Sequence, residues 1–179
     1  MDYSENNINT KIHKDVINLI DLHEKSLVRY TFSIIKNLEI AREIVQDAFL
    51  KYLVIANKPE NEIAKRAWLF RVCRNRSIDI IRKESKISTI TSDFDLAYTT
   101  KTNPEKLVID QEINTKALLA IDKLPINQQE VIRLKFLNDF SYKEISAITG
   151  YSVSNVGFLI STGLKQLRKD FKKAGLIDL

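Results

Sequence analysis

From Ala64 to Lys86 the chain reads AKRAWLFRVCRNRSIDIIRKESK, basic and apolar residues interleaved with neither glycine nor proline. Such a run is most simply one helix. Lys65, Arg66, Arg71, Arg74, Arg76, Arg82, Lys83 and Lys86 face only Asp79 and Glu84. At 3.6 residues per turn Leu69, Val72, Cys73 and Ile80 share a side that suits a core. Trp68, Arg71, Asn75 and Arg82 share another. Guanidinium groups hold phosphates, an amide reads a base edge, and an indole stacks on an exposed base. The plainer reading of the same stripe is a solvated basic face with a core tryptophan.

Four Gly and three Pro in 179 residues are few, so the whole chain reads as mostly helical. A net charge of +5 favours an anionic partner, nucleic acid before membrane. The lone Cys73 forms no internal disulfide, which suits a reducing cytosol, and Cys and His are too few for a structural zinc site. The opening DYSENNINT resembles no signal peptide, and no apolar run reaches membrane-spanning length. The expectation is a soluble cytoplasmic protein with no cofactor and no membrane insertion. No nucleophile–base pair, metal cluster or phosphate loop argues for an enzyme.

Met1 to Thr10 reads as a frayed polar tail. A first helix is expected over about residues 14–36, with Val16, Ile17, Ile20, Leu27, Tyr30 and Ile34 apolar and His23 a surface or packing residue. After a break at Asn37, a second is expected over about 39–56, apolar through Ile40, Ile44, Phe49 and Leu53. Its Glu43, Gln46, Asp47 and Lys51 lie together elsewhere, as a hydrated face or a dock for a basic helix. The loop Asn57 to Asn61, NKPEN, leads into the basic helix. Beyond Glu84 the Ser/Thr-rich SKISTITSDFDLAYTTKTNPE reads as a flexible linker and the domain boundary.

The second half opens with Asn103-Pro104, a cap followed by proline at the first helical position, and that helix is expected to reach about Lys123. Leu124-Pro125 breaks it, and another helix follows over about Asn127 to Leu137 with Val131, Ile132, Leu134 and Phe136 apolar. Ser141-Tyr142-Lys143-Glu144 has the form of a capping box, and Gly150 that of a left-handed C-cap. Ser152 then caps a longer helix to about Lys173, whose stripe Val153, Val156, Ile160, Leu164 and Leu167 packs inward. That leaves Ser154, Asn155, Phe158, Leu159, Thr162, Lys165 and Lys169 outward. Two capped helices about a glycine turn, with a basic finish, form a helix-turn-helix pattern, although structural helical hairpins share it.

These segments, in this order, resemble the extracytoplasmic-function group of bacterial RNA polymerase sigma factors. AREIVQDAFLKYL (Ala41 to Leu53) is similar to that family's polymerase-binding segment, WLFRVCRNRSIDIIRK (Trp68 to Lys83) to its minus-10 segment, and LPINQQEVIRLKFLNDFSYKEISAITGYS (Leu124 to Ser152) to its minus-35 domain. The resemblance implies an all-α fold of two small domains, residues 12–86 and 103–175, joined by a flexible linker at 87–102, and a non-enzymatic role in promoter-specific initiation. It implies that Glu43, Gln46 and Asp47 dock on core RNA polymerase. Asn57, Lys58, Asn61, Trp68, Arg71, Arg74, Asn75, Arg82 and Lys83 would meet the minus-10 DNA. Ser141, Tyr142, Ser152, Ser154, Asn155, Phe158, Thr162 and Lys165 would meet the minus-35 DNA. Core RNA polymerase, promoter DNA and an anti-sigma factor are the partners it suggests.

The chain departs from that family in its last helix, where Gly157, Leu159, Thr162 and Leu164 stand where basic residues are common. Ser, Asn and Thr can bond base edges and an apolar tip can meet a thymine methyl. Adjacent exposed Phe158 and Leu159 could equally form a protein interface. The rival function is a stand-alone helix-turn-helix regulator, which needs neither the Ala41–Leu53 nor the Trp68–Lys83 segment.

Overall fold

The computed structural model describes residues 3–90 and 113–174, with side chains over 14–84 and 117–174. The chain divides into two units, Met1–Thr99 and Thr100–Leu179. Every regular element among the described residues is helical.

In the first unit α1 spans Tyr3–Ile35, α2 Leu38–Val54 and α3 Glu62–Ile90. The helix over Tyr3 to Thr10 replaces the expected frayed tail. That segment holds no Gly or Pro, and adding a residue to an existing helix is far easier than nucleating one. Lys36 takes a left-handed φ of 56° and ends α1. Asn37 then caps α2, its side chain accepting from the Ile40 N–H at 3.1 Å. The three helices close on Leu19, Leu27, Tyr30, Val45, Tyr52, Leu69, Phe70 and Cys73, all buried. Ile17, expected inside, is exposed, and Leu19 takes the inward place. His23 is half-buried, and its desolvation and nearby Arg66 hold the imidazole below its ordinary pKa.

Asn61 starts α3: its side-chain oxygen accepts from the Ala64 N–H at 2.8 Å, and Glu62 pairs with Lys65 at 2.6 Å. The far end of α3 runs through residues 87–90, which the linker was expected to include. Ser and Thr lower helix propensity there, but no breaker stops propagation. Residues 91–102 of the expected linker, and the Asn103-Pro104 cap, lie outside the described residues.

In the second unit α4 spans Ile113–Ile121, α5 Ile126–Ile132, α6 Tyr142–Thr149 and α7 Val153–Lys173. The Leu124-Pro125 break is secured by Gln129, whose amide donates to the carbonyls of Asp122 and Leu124 at 2.9 and 2.8 Å. The expected helix to Leu137 instead leaves α geometry at Arg133 and finishes as a π turn, Arg133–Leu137. Buried Arg133 is held there by Asp122 at 2.8 Å and Gln129 at 3.1 Å. The turn rotates Phe136 out to solvent while Leu134 stays fully buried.

The helix-turn-helix forms as its capping chemistry implies. Ser141 and Glu144 close a capping box, and Gly150 sits at φ 80°. Ser146 and Thr149 fix the turn through Tyr151, whose carbonyl accepts from Ser146 at 2.6 Å and whose N–H donates to Thr149 at 3.2 Å. Ser152 accepts from the Asn155 N–H at 3.2 Å and starts α7.

The inward stripe of α7 differs from the expected one. Val156, Leu159, Ile160, Gly163 and Leu167 are buried. Leu159 is 6% exposed and Leu164 41%, the reverse of their expected places, and Val153 is exposed as well. Glycine at 163 lets α7 approach Ile132 and Gln128 of α5 so closely that a β-carbon would lie 2.6 Å from Ile132 Cδ1. That approach turns the helix toward Leu159 and away from Leu164.

Candidate nucleic-acid interface

On α2, Glu43, Gln46 and Asp47 are all exposed, as is Lys51. Leu50 and Val54 are exposed too. Glu43, Asp47, Leu50 and Val54 recur at intervals of four, three and four, which sets them in one line along the helix. Sequence reasoning missed the two apolar members of this line, and their spacing from Glu43 is the signal that marks them. The line combines carboxylates with uncovered aliphatic surface, the makeup of an interface whose partner is both basic and apolar.

On α3, Arg71, Asn75, Arg82 and Lys83 are exposed and Trp68 and Arg74 half-buried. Arg76, Asp79, Arg82 and Lys83 line a shallow hollow. The Trp68 indole meets the buried Tyr52 ring edge-on, centroids 5.7 Å apart. Lys58 of the preceding loop sets its ammonium 5.4 Å from the same Tyr52 ring. Tyr52 therefore ties the loop and the basic helix to one buried point. Of the other loop residues, Asn57 is exposed, and Asn61 spends its side-chain oxygen on the cap of α3. Burial pushes the Tyr52 phenol above its ordinary pKa, and the Glu62 carboxylate raises that of Lys65, so both keep their protons at neutral pH.

On α7, Ser154, Asn155, Phe158 and Lys165 are exposed. Thr162 is half-buried, and its hydroxyl donates to the Phe158 carbonyl at 2.9 Å and accepts from Gln128 at 3.4 Å. Ser141 and Ser152 have their hydroxyl oxygens engaged as helix caps, each still open to solvent. Tyr142 lies across Gly157, its ring 3.5 Å from where a β-carbon would stand. Ser161, Arg168 and Lys169, also exposed, extend the face toward the C-terminal end of α7.

Residues 19–87 match the family model for sigma-70 region 2, and residues 115–167 that for sigma-70 region 4. The chain is 27% identical over 161 residues to the RNA polymerase sigma factor SigV of Bacillus subtilis, covering 90% of this chain and 93% of that one. It is 26% identical over 156 residues to the ECF RNA polymerase sigma factor SigX of the same organism, covering 84% and 80%. The chain is a sigma factor of the extracytoplasmic-function group. The solved structure of the sigma factor RpoE in complex with the anti-sigma factor NepR, from Bartonella quintana, shares its fold. The two align over 89% of this chain and 98% of that one, with a TM-score of 0.71 at 22% identity. This sigma factor recognises promoters for RNA polymerase. No helix among its described residues is long and apolar enough to cross a membrane.

Proposed function

We propose that the two units divide the work of promoter recognition between the faces described above. Glu43, Gln46, Asp47, Leu50 and Val54 dock on core RNA polymerase. The stripe Trp68, Arg71, Asn75 and Arg82, with Arg74, Lys83 and the loop Asn57 to Asn61, holds the minus-10 strand. The outward face of α7 lies on the minus-35 duplex. The protein works in the cytoplasm, and an anti-sigma protein that covers these faces is its natural antagonist.

The observation that carries this reading is the exposed α3 stripe beside the Tyr52-anchored loop. Opening a duplex without a nucleotide triphosphate requires that the opened strand bind better than the closed one. Unstacking a base costs a few kcal/mol. One base stacked on an aromatic contributes about 1–3 kcal/mol, and one well-made amide contact to a base edge a similar amount. Trp68 and Asn75 together are therefore enough to offset one extruded base, while the arginines hold its flanking phosphates. No covalent step is involved.

The stand-alone regulator gives no role to the α2 line. In vitro transcription with core polymerase tests the choice. Initiation from defined promoters only when this protein is present supports the reading, and duplex binding with no effect on initiation overturns it.

A further inference from the structure

We infer that Phe158 reads the 5-methyl groups of thymines in the upstream promoter element, so that this sigma factor selects the element largely by apolar contact. The inference rests on the proposed placement of α7 on minus-35 DNA and gives that face its specificity.

Phe158 is 64% exposed at the middle of the outward face of α7. Its neighbours along that face are Ser154 and Asn155 one turn before and Ser161 one turn after, while the Tyr142 ring lies across adjacent Gly157. The neighbours on its own helix are short and polar, and Phe158 is more open than Tyr142, so its ring projects furthest toward the floor of a groove. Thr162, the next polar candidate, has its hydroxyl engaged by the Phe158 carbonyl and by Gln128. Cationic residues on the face begin only at Lys165 and continue through Arg168 and Lys169. That end suits phosphates, and the Phe158 end suits bases.

The partition fits the major groove, which admits one helix and in which thymine alone presents a methyl group. The alternative occupant, a protein, would need a contiguous apolar patch. Leu159, the neighbour that would complete one, is buried. Val153 and Leu164 lie about a third of the helix circumference away, at about 100° per residue. Phe158 is the exposed apolar tip of its own helix face, set among Ser154, Asn155 and Ser161, which matches isolated methyl groups on a polar groove floor.

The test uses holoenzyme and a duplex library randomised over the upstream element, made once with thymine and once with deoxyuridine throughout. Selection from the thymine library is expected to fix thymine at one or two positions. Replacing each by deoxyuridine should weaken binding about three- to five-fold, the factor for one buried methyl group. Phe158→Ala should bind the thymine duplex as weakly as the wild type binds the deoxyuridine one and distinguish the two no longer. The wild-type comparison alone needs no variant to fold. Equal affinity of wild type for both duplexes, or a thymine preference that survives Phe158→Ala, overturns the inference. Loss of core-polymerase binding in Phe158→Ala, with thymine discrimination retained, assigns the ring to a protein interface and overturns it too. Wild-type holoenzyme that enriches no upstream sequence overturns the placement of α7 on DNA itself, a failure distinct from indifference to the methyl group.

Discussion

Gly163 of α7 faces Ile132 of α5 so closely that a β-carbon on the first would stand 2.6 Å from Cδ1 of the second. Ile132 is itself buried and cannot simply swing aside. Gly163→Ala should therefore destabilise the second unit by about 1–2 kcal/mol, because overpacking outweighs the gain in helix propensity. Ile132→Val removes only the offending methyl group. The double variant should be more stable than the sum of the single effects predicts, and denaturant melts of all four proteins measure that coupling. Strict additivity would mean that the two residues do not interfere.

Charge reversal on the α2 line should uncouple the protein from polymerase. Asp47→Arg is expected to weaken core binding more than ten-fold, since truncating one desolvated charge pair costs about 2–5 kcal/mol. Leu50→Ser should weaken it less, and in a salt-independent way. Both residues are exposed, so thermal melts of the isolated protein should stay unchanged. Core binding read by fluorescence titration at two salt concentrations separates the two contributions.

Asn75 and Arg82 share a face but should fail differently. Asn75→Ala is expected to cost about 1–3 kcal/mol on single-stranded minus-10 DNA and to reduce its sequence preference. Arg82→Ala should weaken all sequences alike and lower the salt slope by about one ion. Titrations against matched and scrambled strands at several salt concentrations distinguish them. If Asn75→Ala keeps the preference intact, the base is read by the loop Asn57 to Asn61 instead.

Cys73 should contribute a pH dependence of its own. Burial pushes its thiol up to about 12, against an ordinary value of 9.0. Between those values the unfolded chain has lost the proton that the folded chain keeps. Stability therefore falls as pH rises across that window, by up to about 1.4 kcal/mol per pH unit. Cys73→Ala should show a shallower decline between about pH 9 and about pH 11 in paired denaturant melts. A thiol reagent should label the native protein only at its rate of opening.

The caps were the most legible part of the fold. Asn37, Ser141, Gly150 and Ser152 each announce a helix end through local chemistry, and each stands where that chemistry requires. The stripe of α7 was not legible, for a reason rooted in Gly163. An apolar pattern ranks Leu164 above a glycine, whereas the packing against Ile132 admits only the residue with no side chain. The π turn at Arg133 was hidden as well, because it depends on Asp122, eleven residues earlier. On the surface, the exposure of polar residues such as Glu43 and Asn75 could be read from type and spacing. Exposed Leu50 and Val54 could not, because an aliphatic residue on a helix reads first as core.

Trp68 is the only tryptophan of the chain, and its indole leans on Tyr52 while remaining half-open to solvent. The molecule thus carries a built-in optical reporter at the place where the opened strand is proposed to bind. A base stacking on the open part of the ring would quench its emission, whereas duplex DNA held by α7 alone would leave it unchanged. Strand capture by the isolated protein could then be followed in real time with unlabelled oligonucleotides.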